Sequence, residues 1–194
     1  MYLLCNLVYN LKRIKNIYIF FIMHVNKNKN INICEKLNNY HEQFIYFCDP
    51  IKNNIINDGN FIRILYSKSY VLFNGIYLYF TLEVQSLEKY YNKLKCNFNI
   101  IQHSDIIEKF KFVEDDILKK INLNKIPQYK LSEQLKNGNV KIFDDFKDTN
   151  KNINININEW IGKNDFILKI SGIWENELYY GLTFKFIKTN NINY

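Results

Sequence analysis

The stretch Phe166–Ile187 reads FILKISGIWENELYYGLTFKFI, and its reading decides the fold. Apolar and polar residues alternate on both sides of Glu175-Asn176-Glu177, the pattern of two half-buried antiparallel strands. With those residues as a three-residue loop, Trp174 faces Leu178, Gly172 faces Tyr180 and Ile170 faces Leu182. Leu168 then faces Phe184, and Phe166 faces Phe186. This nearly all-apolar face is expected in the core. The other face pairs Ile173 with Tyr179, Ser171 with Gly181, Lys169 with Thr183, and Ile167 with Lys185. A slip of one residue would mix the two sets, so the pattern favours one register. In that register Trp174, Tyr180 and Phe184 are core residues, not ligand contacts.

The outward face has the chemistry of a surface for single-stranded nucleic acid. Lys169 and Lys185 neutralise phosphates, Ser171 and Thr183 donate hydrogen bonds, and Tyr179 offers a ring for stacking a base. Gly181 allows a backbone to approach closely. The alternative is an ordinary wet sheet face, on which Lys and Thr are common.

Upstream, FIRILY (61–66) and SYVLF (69–73) are short β-rich runs. Asn74-Gly75 tolerates the positive φ angles of a type I′ turn, so a hairpin is expected from SYVLF into IYLYFTLEV (76–84). In the latter run Ile76, Leu78, Phe80 and Leu82 share one side, and Tyr77, Tyr79, Thr81 and Glu83 the other. Arg63, Lys68 and Tyr79 are candidates to extend the groove begun by Lys169 and Lys185.

LKCNFNII (94–101) reads as a third strand. Ser104-Asp105 offers an N-cap, and Ile106, Ile107, Phe110, Val113, Ile117, Leu118 and Ile121 recur at helical spacing. A helix over Asp105–Asn122 is predicted, with this stripe facing the core. Asn137-Gly138 marks a turn into VKIF (140–143). Ile33–Phe47 reads as a short helix or an irregular lead-in. The Asn-Ile run Asn152–Asn158 reads as a strand or a low-complexity insertion. The fold expected is mainly β with one helix between early and late strands. An OB-fold-like five-stranded barrel fits, and so does a generic α+β sheet. Residues 1–32 read as an N-terminal extension, 33–188 as a single domain, and 189–194 as a short tail.

A length of 194 residues with 47% apolar and 16% aromatic residues supports one domain with a real core. The excess of Asn, Ile, Lys, Tyr and Phe matches AT-rich codons, so an AT-rich genome is its simplest cause. The net charge of +7 and pI near 9.0 therefore reflect either that drift or a polyanionic partner. Cys5, Cys34, Cys48 and Cys96 contain no CxxC pair and read as free thiols in a reducing compartment. The spacing of Cys34, His41 and Cys48 matches no compact zinc motif, so no metal is expected.

The first 23 residues, MYLLCNLVYNLKRIKNIYIFFIM, are apolar and basic. Their uninterrupted run, Ile17–Met23, is far shorter than the ~20 residues that span a bilayer, and no membrane span is expected. Their charges fall mid-segment, unlike a signal peptide. The segment is either an amphipathic helix or an extension ahead of a start at Met23.

Three matching elements carry a resemblance: Lys141-Ile142-Phe143-Asp144, Ser171-Gly172-Ile173-Trp174, and Tyr180-Gly181-Leu182-Thr183-Phe184-Lys185. They resemble the C-terminal part of the single-stranded DNA-binding proteins of nucleocytoplasmic large DNA viruses. That family is itself similar to the T7-type phage single-stranded DNA-binding protein. The earlier FIRILYSKSYVLFNGIYLYFTLE is similar to the family's first hairpin. The resemblance implies an OB fold, coating of single-stranded DNA during viral replication or recombination, no catalysis and no cofactor. It also implies viral replication proteins and a second copy of the chain as partners, at replication sites in the host cytoplasm or nucleus. One departure concerns recruitment. Phage-type proteins end in an acidic tail, whereas this chain ends Lys188-Thr189-Asn190-Asn191-Ile192-Asn193-Tyr194.

The expected interface is therefore Lys169, Lys185, Tyr179, Ser171 and Thr183, extended by Arg63, Lys68 and Tyr79. The second reading is a non-catalytic viral interaction module that uses the same barrel. An enzyme is the third. His24, His41 and His103 sit in no triad or metal pattern, and no Gly-rich phosphate loop exists. Asp115-Asp116 falls on the predicted helix beside lysines, and Asp144-Asp145 at a strand end.

Overall fold

The computed structural model describes residues 34–53, 58–68, 71–91, 93–143 and 159–189. The N-terminal expectations, the Asn152–Asn158 run, Asp144-Asp145 and the tail beyond Thr189 lie outside the described residues. The strands are β1 (Glu35–Lys36), β2 (Ile45–Phe47), β3 (Ile51–Lys52), β4 (Asn60–Lys68), β5 (Val71–Phe73), β6 (Ile76–Tyr90) and β7 (Lys93–Phe98). Then follow α1 (Ser104–Ile121), β8 (Ile126–Gln128), α2 (Lys130–Lys136), β9 (Asn139–Phe143), β10 (Gly162–Glu175) and β11 (Tyr179–Lys188).

Five strands close on themselves. β6 pairs with β7, β7 with β9, β9 with β11, β11 with β10, and β10 returns to β6. In chain order of the barrel strands the circuit runs first, second, third, fifth, fourth. Only the β9–β11 contact is parallel. The fold is mostly β, a closed OB-fold-like five-stranded barrel with two helices between its second and third strands.

Closure depends on two long strands that change partner at a bulge. β6 pairs with β10 through Val84 and with β7 from Val84 onward, with an irregularity before Ser86. β10 pairs with β6 through Ile170 and with β4 from Gly172, with the bulge at Ser171. A bulge bends and twists its strand, which lets a short sheet curl into a barrel.

The core follows the alternation of β6, whose Ile76, Leu78, Phe80, Leu82 and Val84 are all buried. The Phe80 ring centroid lies 4.8 Å from that of Phe110, 5.8 Å from Phe166 and 5.9 Å from Phe186. Phe110 belongs to the apolar stripe of α1, and Ile107, Val113, Ile117 and Leu118 are buried with it. Glu114, on the same helix, is fully buried and holds the start of α2. Its carboxylate accepts from the Leu131 N–H at 3.0 Å, the Ser132 N–H at 2.7 Å and the Ser132 hydroxyl at 2.5 Å. Burial raises its pKa, and these bonds only partly oppose that. Among the described residues no helix is long and apolar enough to cross a membrane.

Several expectations need correction. SYVLF and IYLYFTLEV do not form a hairpin: β5 folds back on β4, with Tyr66 opposite Phe73, while β6 joins β7 and β10. Gly75 (φ +109°) does not serve a type I′ turn there; a Cβ at this site would stand 2.6 Å from the Ile170 carbonyl oxygen. The register of β10 and β11 is shifted by two residues in the first half of β10, where Ile170 faces Phe184 and Leu168 faces Phe186. Beyond Ser171 the bulge reverses the faces: Ile173 is fully buried, Trp174 is half-buried and Leu178 is 62% exposed. Tyr180 remains in the core, and Phe184 is half-buried against it. The turn is Asn176–Leu178, because the Asn176 side chain accepts from the N–H groups of Leu178 (3.0 Å) and Tyr179 (2.7 Å). α1 begins at Ser104 without a side-chain cap. Asn99 instead accepts from the N–H groups of Ile101 and Gln102 in the preceding turn. The described part of the lead-in, residues 34–47, contains β1, two 3-10 turns and β2.

Candidate nucleic-acid interface

The outward side chains of the barrel form rows across its strands. Lys169 on β10 faces Tyr77 on β6 and Lys185 on β11. Phe186 faces Ile142 across the parallel β11–β9 contact, so Lys185 and Lys141, each one residue earlier, lie side by side on the outer face. Lys141 faces Lys95 on β7. The result is a row of four lysines, 169, 185, 141 and 95, running across four successive strands. At ~4.8 Å per strand step the row spans about 14 Å.

Tyr77 stands at one end of the row, opposite Lys169, and Tyr90 lies beside the row near Lys141. The Lys169 ammonium lies 5.0 Å from the Tyr77 ring centroid, and the Lys141 ammonium 4.7 Å from that of Tyr90, at the far end of β6. The adjoining row is polar: Asn97 and Asn139 on β7 and β9, Thr183 on β11, and Ser171 at the bulge. The lysine row closes on one carboxylate, Glu88 of β6, which faces Lys95 and pairs with it at 3.0 Å. Hydrogen bonds from Lys95 and Asn97 hold the Glu88 pKa below the usual range. Among the described residues Lys141, Lys169 and Lys185 make no ion pair.

Arg63 continues the polar row. It faces Gly172, which in turn faces Thr183. Its guanidinium donates to the Asn74 side chain at 2.9 Å and lies 5.8 Å from the Phe61 ring centroid. Gly172 is required here, because an added Cβ would stand 2.3 Å from the Ile62 carbonyl oxygen and 2.6 Å from the Phe61 ring.

Of the expected interface, Lys169, Lys185, Thr183, Ser171 and Arg63 share one face. Tyr79 lies beside them, opposite the buried Ile167, with its hydroxyl 3.3 Å from that of Thr81. Tyr179 is separate. It starts β11 beside Ile126 of β8, six residues from Lys185 and thus about 20 Å along the strand. Lys68 is also separate. Alternation along β4 puts it on the opposite face from Arg63, and it pairs with Glu35 at 2.9 Å. Sequence reasoning missed Lys141, Lys95, Tyr77 and Tyr90. The alternation in Lys93-Leu94-Lys95-Cys96 and Val140-Lys141-Ile142 marks the two lysines as outward.

The acidic pair of α1 is engaged elsewhere. Asp115 meets Lys119 at 2.6 Å and the Tyr129 hydroxyl at 3.2 Å, and these contacts hold its pKa low. Asp116 accepts from the Tyr40 hydroxyl. Among the described residues no three His, Cys, Asp or Glu side chains gather to hold a metal. No family model, curated protein or solved structure matches this chain.

Proposed function

We propose that this protein binds single-stranded DNA without sequence preference and serves viral DNA replication or recombination. The observation that carries the reading is the row of four lysines crossing the barrel. A strand laid along it runs perpendicular to the β-strands and meets cations at each step. Thr183 and Ser171 supply sequence-blind hydrogen bonds to phosphate oxygens. Flanking tyrosines stack unpaired bases, worth ~1–3 kcal/mol each. Among the described residues, the motifs that resemble the viral single-stranded DNA-binding proteins lie on β10, β11 and β9, which supply Lys169, Lys185 and Lys141.

The test is fluorescence anisotropy of labelled oligo(dT) at two or more salt concentrations, for the wild type and for a variant with Lys141→Gln, Lys169→Gln and Lys185→Gln. Each lost phosphate contact lowers the slope of log affinity against log salt by ~0.7, so the variant's slope should fall by about 2. Absence of binding at low salt, or equal affinity for duplex, overturns the proposal. The second reading, a protein-interaction module, draws on the exposed Tyr46, Ile51 and Val71 of β2, β3 and β5. A specific protein partner captured by a chain that binds no oligonucleotide would favour it.

A further inference from the structure

The turn joining β6 to β7 is built against its own stability. Tyr91 there has φ +53°. A left-handed backbone penalises any Cβ, and a bulky side chain most, so Gly or Asn is the residue such a turn favours. Burial does not compensate Tyr91, a residue that is 84% exposed. Tyr90 beside it is 46% exposed. The two rings meet edge to face with centroids 5.0 Å apart. Tyr90 also carries the Lys141 ammonium 4.7 Å from its centroid, so the pair adjoins the lysine row. Tyr90 faces Lys93, two residues along β7 from Lys95, a distance of about 7 Å.

We propose that Tyr91, backed by Tyr90, is a stacking site for an unpaired nucleobase of a strand whose phosphates follow Lys141 and Lys95. The inference rests on the single-strand-binding function proposed above and adds to it a specific, sequence-tolerant stacking site at the β6–β7 turn. A lysine row alone attracts duplex and single strand alike. An exposed ring that takes a base face is open only to unpaired nucleotides, so this site supplies the preference for single strands. Tyr90 has Lys93 opposite it and the Lys141 ammonium over its ring, while the one nearby carboxylate of its face, Glu88, is paired with Lys95; such a surrounding suits a polyanion better than an apolar protein surface.

The test compares the full-length wild type with a Tyr90→Ala, Tyr91→Gly variant, using oligo(dT) and an abasic oligonucleotide of equal length. On oligo(dT) the variant should bind about five- to hundredfold more weakly, the cost of one lost stacking platform. Its salt slope should be unchanged. On the abasic strand the two proteins should bind alike. Thermal denaturation of Tyr91→Gly alone should give an equal or higher midpoint than the wild type. Unchanged affinity of the variant for oligo(dT) overturns this inference alone. A similar loss on the abasic strand, or a midpoint that falls with the affinity, assigns the tyrosines to folding and also overturns it. Failure of the wild type to bind oligo(dT) overturns both this inference and the function beneath it.

Discussion

The two halves of β10 read alike in sequence and do opposite things. From Gly162 to Ile170 the strand is barrel wall, paired with β6 and β11. It buries Phe166, Leu168 and Ile170 and turns Lys169 outward. From Gly172 to Glu175 it leaves β6 for β4. There it buries Ile173 and Glu175 and presents Trp174 half-exposed. A single extra residue, Ser171, separates the halves and reverses the alternation. Lys169 therefore joins a solvent-facing row of like charges, while the buried Glu175 pairs with the partly exposed Lys125. One inserted residue decides which side chains meet solvent, and so which half is available to a ligand.

The reversal of phase is tested at Ile173. Gly172 faces Thr183 directly after Ile170 faces Phe184, so Ser171 is the residue without a partner and Ile173 points into the core, where it is fully buried. Truncating a buried Ile to Ala costs about 2–5 kcal/mol, a large part of the stability of a small domain. Urea denaturation of Ile173→Ala should show a loss of that size. A cost below ~0.5 kcal/mol, the range of a surface substitution, would mean that Ile173 points outward and that Ser171 does not set the phase.

Glu175 gives a smaller and pH-dependent effect. Burial works against its charge, but hydrogen bonds from Lys125 (2.6 Å) and Asn60 (2.9 Å) outweigh it and hold the pKa below the ordinary 4.5. A depressed carboxylate contributes stability above its unfolded pKa and loses it as pH falls through the folded value. Glu175→Gln should therefore destabilise at neutral pH by about 1–2 kcal/mol, a figure reduced because Lys125 is partly exposed. It should also flatten the loss of stability below pH ~4.5. Denaturation midpoints at pH 7 and pH 3 check both. An equal offset at the two pH values would remove the ion pair from the account.

What was legible in the sequence follows from how local each signal is. The inward faces of β6 and of the first half of β10 could be read from alternation, because burial of one face is written residue by residue. The bulge could not. Ser171 looks like any outward polar residue, and nothing in Ile-Ser-Gly-Ile marks it as extra. The hairpin register turned on the Asn176 side chain capping two backbone N–H groups, which alternation alone does not weigh. Lys169 and Lys185 were legible as partners because one hairpin contains both. Lys141 and Lys95 were not, because they join the row through the β9–β11 and β7–β9 contacts. Such pairings between distant segments leave no local trace.

The smallest predicted effect on stability separates function from fold most cleanly. Lys169 and Lys185 face each other directly across β10 and β11, and like charges so placed repel by a few tenths of a kcal/mol. Lys185→Glu turns the repulsion into attraction at an exposed site. The fold should gain about 0.3–0.5 kcal/mol, read as a slightly higher urea midpoint. Affinity for oligo(dT) should fall, with a shallower salt slope, because a phosphate cation has become an anion. A chain selected for stability alone would not keep this lysine pair. If Lys185→Glu destabilises the barrel, or leaves binding unchanged, the first half of β10 is wall and nothing more, and the contrast between the two halves loses its functional meaning.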